Sequence, residues 1–137
     1  MKGLSQFRVG DTFQLRRTCD RYRPVYYAAA SGDFNPIHID PEVGRLAGQP
    51  GAILQGMCTL AWLADACVRY FDDPGRLTAL SARFARPVNV GDEVRLEGRC
   101  VTIEGRRVRV EVAALNQRGE EVLKAAFAEA LVEEERP

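Results

Sequence analysis

Residues 57–71, Met-Cys-Thr-Leu-Ala-Trp-Leu-Ala-Asp-Ala-Cys-Val-Arg-Tyr-Phe, constrain the fold more than any other stretch. Twelve of the fifteen are apolar, so a helix here has no clean polar face. A helix that is apolar all round is buried by its own protein or by lipid. A bilayer span needs about 20 such residues, and this segment stops short at Asp72-Asp73-Pro74-Gly75. It also carries Asp65 and Arg69 at the i,i+4 spacing of an ion pair. The expectation is a central helix wrapped by the rest of the chain.

The wrapping material is legible downstream. Residues 77–86, 93–103, 108–115 and 121–132 read as strands, the third as Val-Arg-Val-Glu-Val with one buried face. The last is rich in Ala, which makes helix a competing reading. Gly91-Asp92, Glu104-Gly105 and Arg118-Gly119 supply turns. Short turns between strands imply an antiparallel sheet. Upstream, residues 12–18 form a further candidate strand. Pro24 starts a short helix that ends at Ser31-Gly32, and Asp40-Pro41 caps a second one over 41–47. Asn35-Pro36 reads as a non-helical bend, because the proline ring crowds the α conformation of the residue before it. One apolar helix plus a sheet with one apolar face gives α+β layering, the sheet curled around the helix.

At 137 residues, 46% apolar and 28% charged, the chain is expected to form a single domain over residues 1–137. Nineteen basic residues balance nineteen acidic ones. That zero net charge argues against non-specific binding to nucleic acid or an anionic membrane. Seventeen of the bases are Arg, scattered among acids without forming a basic block. Cys19, Cys58, Cys67 and Cys100 contain no Cys-x-x-Cys pair. No apolar signal-peptide core stands at the N-terminus. A reduced, cytoplasmic setting is the expectation, with Cys58 and Cys67 packing as small hydrophobes.

The chemistry concentrates in residues 31–40, Ser-Gly-Asp-Phe-Asn-Pro-Ile-His-Ile-Asp. His38 is the only histidine, which excludes zinc sites built on two or three imidazoles. Asp33, His38 and Asp40 alone would lack a second nitrogen or sulfur ligand, so no metal is expected. A bend at Asn35-Pro36 can turn Asp33 and His38 toward one point, where a carboxylate and a neutral imidazole could hold one water. The same residue types also serve as plain turn formers that bond their own backbone. Gly56 precedes the apolar helix. The first N–H groups there are unpaired and lie at the positive end of the helix dipole, suited to an oxygen gaining negative charge. Equally, Gly56 could simply ease the chain into a crowded helix.

The blocks YAAASGDFNPIHIDPEVGRLAG, AILQGMCTL and ARFARPVNVGDEV together resemble the MaoC-like, (R)-specific enoyl-CoA hydratase family, in particular the hydratase 2 domain of multifunctional β-oxidation enzymes. The resemblance covers roughly residues 7–132. It implies a hot-dog fold and reversible hydration of a trans-2-enoyl thioester of CoA, or of acyl carrier protein, to the (R)-3-hydroxyacyl thioester, with no cofactor. By the same resemblance Asp33 and His38 are the catalytic dyad, Asn35 fixes the loop, and the Gly56 N–H meets the thioester oxygen. Arg83 and Arg86 are candidates for the CoA phosphates, since Arg matches phosphate geometry. At least a homodimer with one continuous sheet, or a higher homo-oligomer, is implied too. The chain departs from the pattern at Gln55, where His is usual, and at Ala30 and Gly44, where the smaller residues are expected to alter the pocket. A hot-dog thioesterase and a non-catalytic acyl-thioester-binding subunit are the alternatives.

Overall fold

The computed structural model describes residues 1–133; the last four residues of the expected 1–137 domain lie outside them. Five strands, β1 (Thr12–Thr18), β2 (Leu77–Phe84), β3 (Glu93–Glu104), β4 (Arg107–Leu115) and β5 (Glu121–Leu131), form one antiparallel sheet. The helices are α1 (Arg23–Ser31), α2 (Pro36–Ile39), α3 (Pro41–Leu46) and α4 (Gly56–Phe71). Two single 3₁₀ turns, Leu4–Gln6 and Pro74–Arg76, complete the order. No helix among the described residues is long and apolar enough to cross a membrane.

The sheet lays its apolar face on α4. Val94, Leu96 and Cys100 of β3, Val108, Val110 and Ala114 of β4, and Ala126, Ala128 and Ala130 of β5 are buried with Trp62, Leu63, Cys67 and Phe71 of the helix. The alternation settles the Ala-rich segment as a strand: its small side chains let β5 run close beneath the helix. Fully burying Leu63 alone stabilises the fold by about 1.5–3 kcal/mol. All four cysteines are free and buried. Burial pushes the Cys67 thiol up to about 12; burial, helped by Cys58 and by Asp20, does the same to Cys19.

Three expectations are corrected. Helix α4 is not enclosed all round, because one five-stranded sheet covers only one side of it. Met57 is 56% exposed, and Ala61 and Arg69 also face solvent. Strand order is β1-β3-β4-β5-β2, so β2 does not pair with the strand that follows it. Residues 85–92 instead cross from one edge toward the other, and Gly91-Asp92 turns that crossing into β3 without closing a hairpin. On the way, Val88 accepts a hydrogen bond from the Leu54 N–H at 2.8 Å, and Asn89 bridges to Ile53. The bend at Asn35-Pro36 is half right. Asn35 is extended, with ψ of 126°, but Pro36 opens the one-turn helix α2, for which Asn35 is the N-cap.

Candidate active site

The loop between α1 and α2 is shaped by its own side chains. Gly32, at φ of 77°, ends α1 in the left-handed region. The Asp33 N–H donates to Ser31 Oγ at 3.2 Å, and the Asn35 N–H donates to Asp33 Oδ1 at 3.2 Å. Asn35 Oδ1 then accepts from the Ile37 N–H at 3.2 Å, while its carbonyl accepts from the His38 N–H at 2.9 Å. These turns, expected from the residue types, are present together with the juxtaposition of acid and imidazole. The two readings are compatible, because Asp33 spends Oδ1 on the turn and keeps Oδ2 for His38.

His38 is held from the other side by an extended strap, residues 51–54. Its Nδ1 lies 2.8 Å from the Ile53 carbonyl oxygen, which can only accept, so Nδ1 carries the proton. In the neutral ring Nε2 is therefore a bare acceptor. It faces Asp33 Oδ2 at 3.6 Å, beyond hydrogen-bond range. The His38 side chain is 13% exposed and that of Asp33 48%, so the pair sits at an opening with the imidazole on the inner side.

Gly56 is the first residue of α4, where an N–H has no intrahelical acceptor. A cavity of about 300 Å³ brings it together with His38 and is otherwise lined mainly by Ile53, Leu54, Pro87, Val88 and Leu123. The Phe84 ring, 58% exposed, leans over Gly56: an added Cβ there would lie 3.1 Å from it. A second cavity of about 290 Å³ also reaches His38, between Arg21, Pro41, Gly51 and Asn89. A larger depression, about 900 Å³, lies around Gln14, Arg99, Arg109 and Phe127, with neither Asp33 nor His38 in its wall.

The remaining expectations divide. Arg86 lines the cavity of His38 and Gly56, and its guanidinium pairs with Glu120 at 3.5 Å. Arg83 is exposed on β2 and lines neither cavity at His38. Gly44 does not widen a pocket. A Cβ at that position would lie 1.9 Å from the Gly51 carbonyl oxygen, so its missing side chain is replaced by the strap backbone pressed onto α3. Ala30 is exposed on α1 and lines neither cavity. Sequence reasoning missed Phe84, which stands in a strand pattern with nothing to mark it. It also missed the Ile53 carbonyl, a group every residue owns. No cluster of three or more His, Cys, Asp or Glu that could hold a metal ion occurs among the described residues.

A sequence model described as the MaoC like domain matches residues 7–122. The chain belongs to that family. It is 37% identical over 92 residues to the probable enoyl-CoA hydratase 2 of Dictyostelium discoideum, an alignment that covers 66% of this chain and 31% of that protein. Against the peroxisomal enoyl-CoA hydratase 2 of Arabidopsis thaliana it is 40% identical over 80 residues, covering 57% of this chain and 25% of the relative. The chain thus spans about a third or less of the length of these curated relatives. Among solved structures, the unliganded R-hydratase PhaJ1 from Pseudomonas aeruginosa superposes with a TM-score of 0.88 at 28% identity, covering 96% of this chain and 85% of that one. The hot-dog architecture of this MaoC-like chain is the one its sequence resemblance implied.

Proposed function

We propose that this MaoC-like chain is a hydro-lyase that adds water reversibly to a trans-2-enoyl thioester, giving the (R)-3-hydroxyacyl thioester. The observation that carries the reading is the facing of Asp33 Oδ2 and His38 Nε2 at 3.6 Å, with His38 and Gly56 lining one cavity. With the ring neutral and the carboxyl ionised, both atoms are acceptors. One water can satisfy both by donating one O–H to each, which leaves its lone pairs turned outward. In the forward direction the water oxygen bonds to C3 of the enoyl group, and the pair takes one of its protons. The C2–C3 π electrons move toward the thioester, whose oxygen gains negative charge at the Gly56 N–H and the positive end of α4. The pair then returns the proton to C2. Net, one H–OH is added and no electron carrier is involved. Holding the reactants together and away from bulk water supplies both orientation and stronger electrostatics.

The thioester would be carried by CoA or by acyl carrier protein, with Arg86 positioned for a phosphate once Glu120 yields it. The free β2 edge and the exposed Phe84 and Met57 beside Gly56 support a homodimer joined near the site.

The test is crotonyl-CoA with purified protein, following the conjugated enoyl absorbance and free thiol together. Loss of absorbance without thiol is expected. Thiol release would make the chain a thioesterase, and neither signal across several acyl lengths would leave it a binding subunit.

A further inference from the structure

Gln55 is the N-cap residue of α4, directly before Gly56. It is 1% exposed, although its side chain is polar. Its Nε2 donates to the Pro24 carbonyl of α1 at 2.8 Å and makes a longer contact, 3.5 Å, with the Asp33 carbonyl. Its Oε1 has no hydrogen-bond partner among the described residues. A buried polar atom left unpaired costs about 1–3 kcal/mol, so a hydrocarbon of the same shape would fill the space more cheaply. What the amide does and a hydrocarbon cannot is join three elements. The other hydrogen bonds that hold Asp33 come from Ser31, the last residue of α1, and Asn35, both within two residues of it around its loop. Gln55 links that loop to α1 and to the first turn of α4.

We propose that Gln55 is a positioning residue that sets the Asp33 carboxylate against His38. It acts through the Asp33 main chain and touches no reacting atom. The inference rests on the hydratase reading for its kinetic consequence, but not for its structural one. Because the side chain is an amide, it donates at every pH, independently of the ionisable groups around it. Those placed by its contacts and its chain neighbours are Asp33, whose carbonyl it meets, Arg23, next to Pro24 on α1, and Cys58 in the first turn of α4.

The experiment compares the wild-type protein with Gln55→Met and Gln55→Glu. His38 is the only histidine, so its ring C–H signals in a ¹H–¹³C correlation spectrum are assigned without ambiguity. Gln55→Met removes both N–H donors at similar volume. Its His38 ring signals should move and broaden, and kcat for crotonyl-CoA should fall about 10–100-fold with KM changed less than about threefold. Gln55→Glu can donate only while protonated, and burial raises a carboxyl's pKa. Its kcat should therefore fall as pH rises through that titration, a limb absent from the wild type, whereas a merely space-filling residue would leave the pH profile unchanged. Ring signals in Gln55→Met that superpose on the wild type would overturn the proposal. If Gln55→Met melts, a wild-type pH profile in Gln55→Glu would overturn it equally. Should the wild type hydrate no enoyl thioester, the hydratase reading falls, and the His38 signals still decide the role of Gln55.

Discussion

At the scale of single residues, one backbone bond governs the site. The Ile53 carbonyl accepts a hydrogen bond from His38 Nδ1–H, which leaves Nε2 of the neutral ring as an acceptor beside Asp33. Gly56 completes the arrangement by having no side chain. Gly56→Ala would place a Cβ 3.1 Å from the Phe84 ring, and pushing that ring aside disturbs the cavity wall over the N–H. Turnover should drop about 10–100-fold in steady-state assays, less than the ~10²–10³-fold typical when an oxyanion donor is lost outright. Gly56→Ala combined with Phe84→Leu should recover part of the loss. Asp33, His38 and Gly56 were singled out in the sequence by the Ser-Gly-Asp-Phe-Asn-Pro-Ile-His block, the lone histidine and the family resemblance, because the residue types alone fit plain turn and helix-entry readings as well. Ile53 and Phe84 were not: one acts through its backbone, the other through a position that only strand crossing reveals. Arg83, read with Arg86 as one pair, separates from it because Arg83 lies within β2 while Arg86 lies past its end, in the crossing.

At the scale of elements, local signals predicted the boundaries and tertiary pairing overrode the connections. Thr12–Thr18 and the start and end of α1 and α4 follow proline, glycine and apolar spacing closely. The position of β2 beside β5 depends on the crossing of residues 85–92 over the strap, which no short-range pattern encodes. The β-bulge in β5 is equally hidden. It holds Ala125 at φ of 49°, a left-handed conformation that costs a side-chain-bearing residue about 1–2 kcal/mol. Ala125→Gly should accordingly raise stability by about 0.5–1 kcal/mol in urea titration. On α4, Asp65 receives Arg69 at 2.9 Å, as the i,i+4 spacing implied, and also Arg17 of β1 at 2.6 Å, which it did not. Partial burial alone would raise this carboxyl's pKa, but the hydrogen bonds from Arg69 and Arg17 outweigh it and lower the pKa. A lowered folded pKa adds stability above the unfolded value, near 3.8, and loses it as pH falls through the folded one. Asp65→Asn should thus melt slightly below wild type at pH 7, and the gap should close as pH falls through the lowered folded pKa; the pair is exposed enough for the effect to stay small.

At the scale of the whole molecule, a neutral chain offers an anionic thioester no long-range field, so any attraction must be local, at Arg86 and the dipole of α4. Among the described residues the sheet leaves β1 and β2 as open edges and one side of α4 uncovered, an arrangement that a second copy would complete. Sedimentation should give about twice the 15.2 kDa chain mass, and Phe84→Asp should lower it if the β2 edge is the joint. The central claim, however, is that Asp33 and His38 act as one unit on one water. The most direct measurement is kcat for crotonyl-CoA in Asp33→Asn, His38→Gln and the double variant, each checked for wild-type melting. Each single change should cost about 10²–10⁴-fold, and the double variant should be scarcely worse than either, because removing one acceptor already releases the water. Losses that multiply in the double variant, or a His38→Gln enzyme near full activity, would contradict the account.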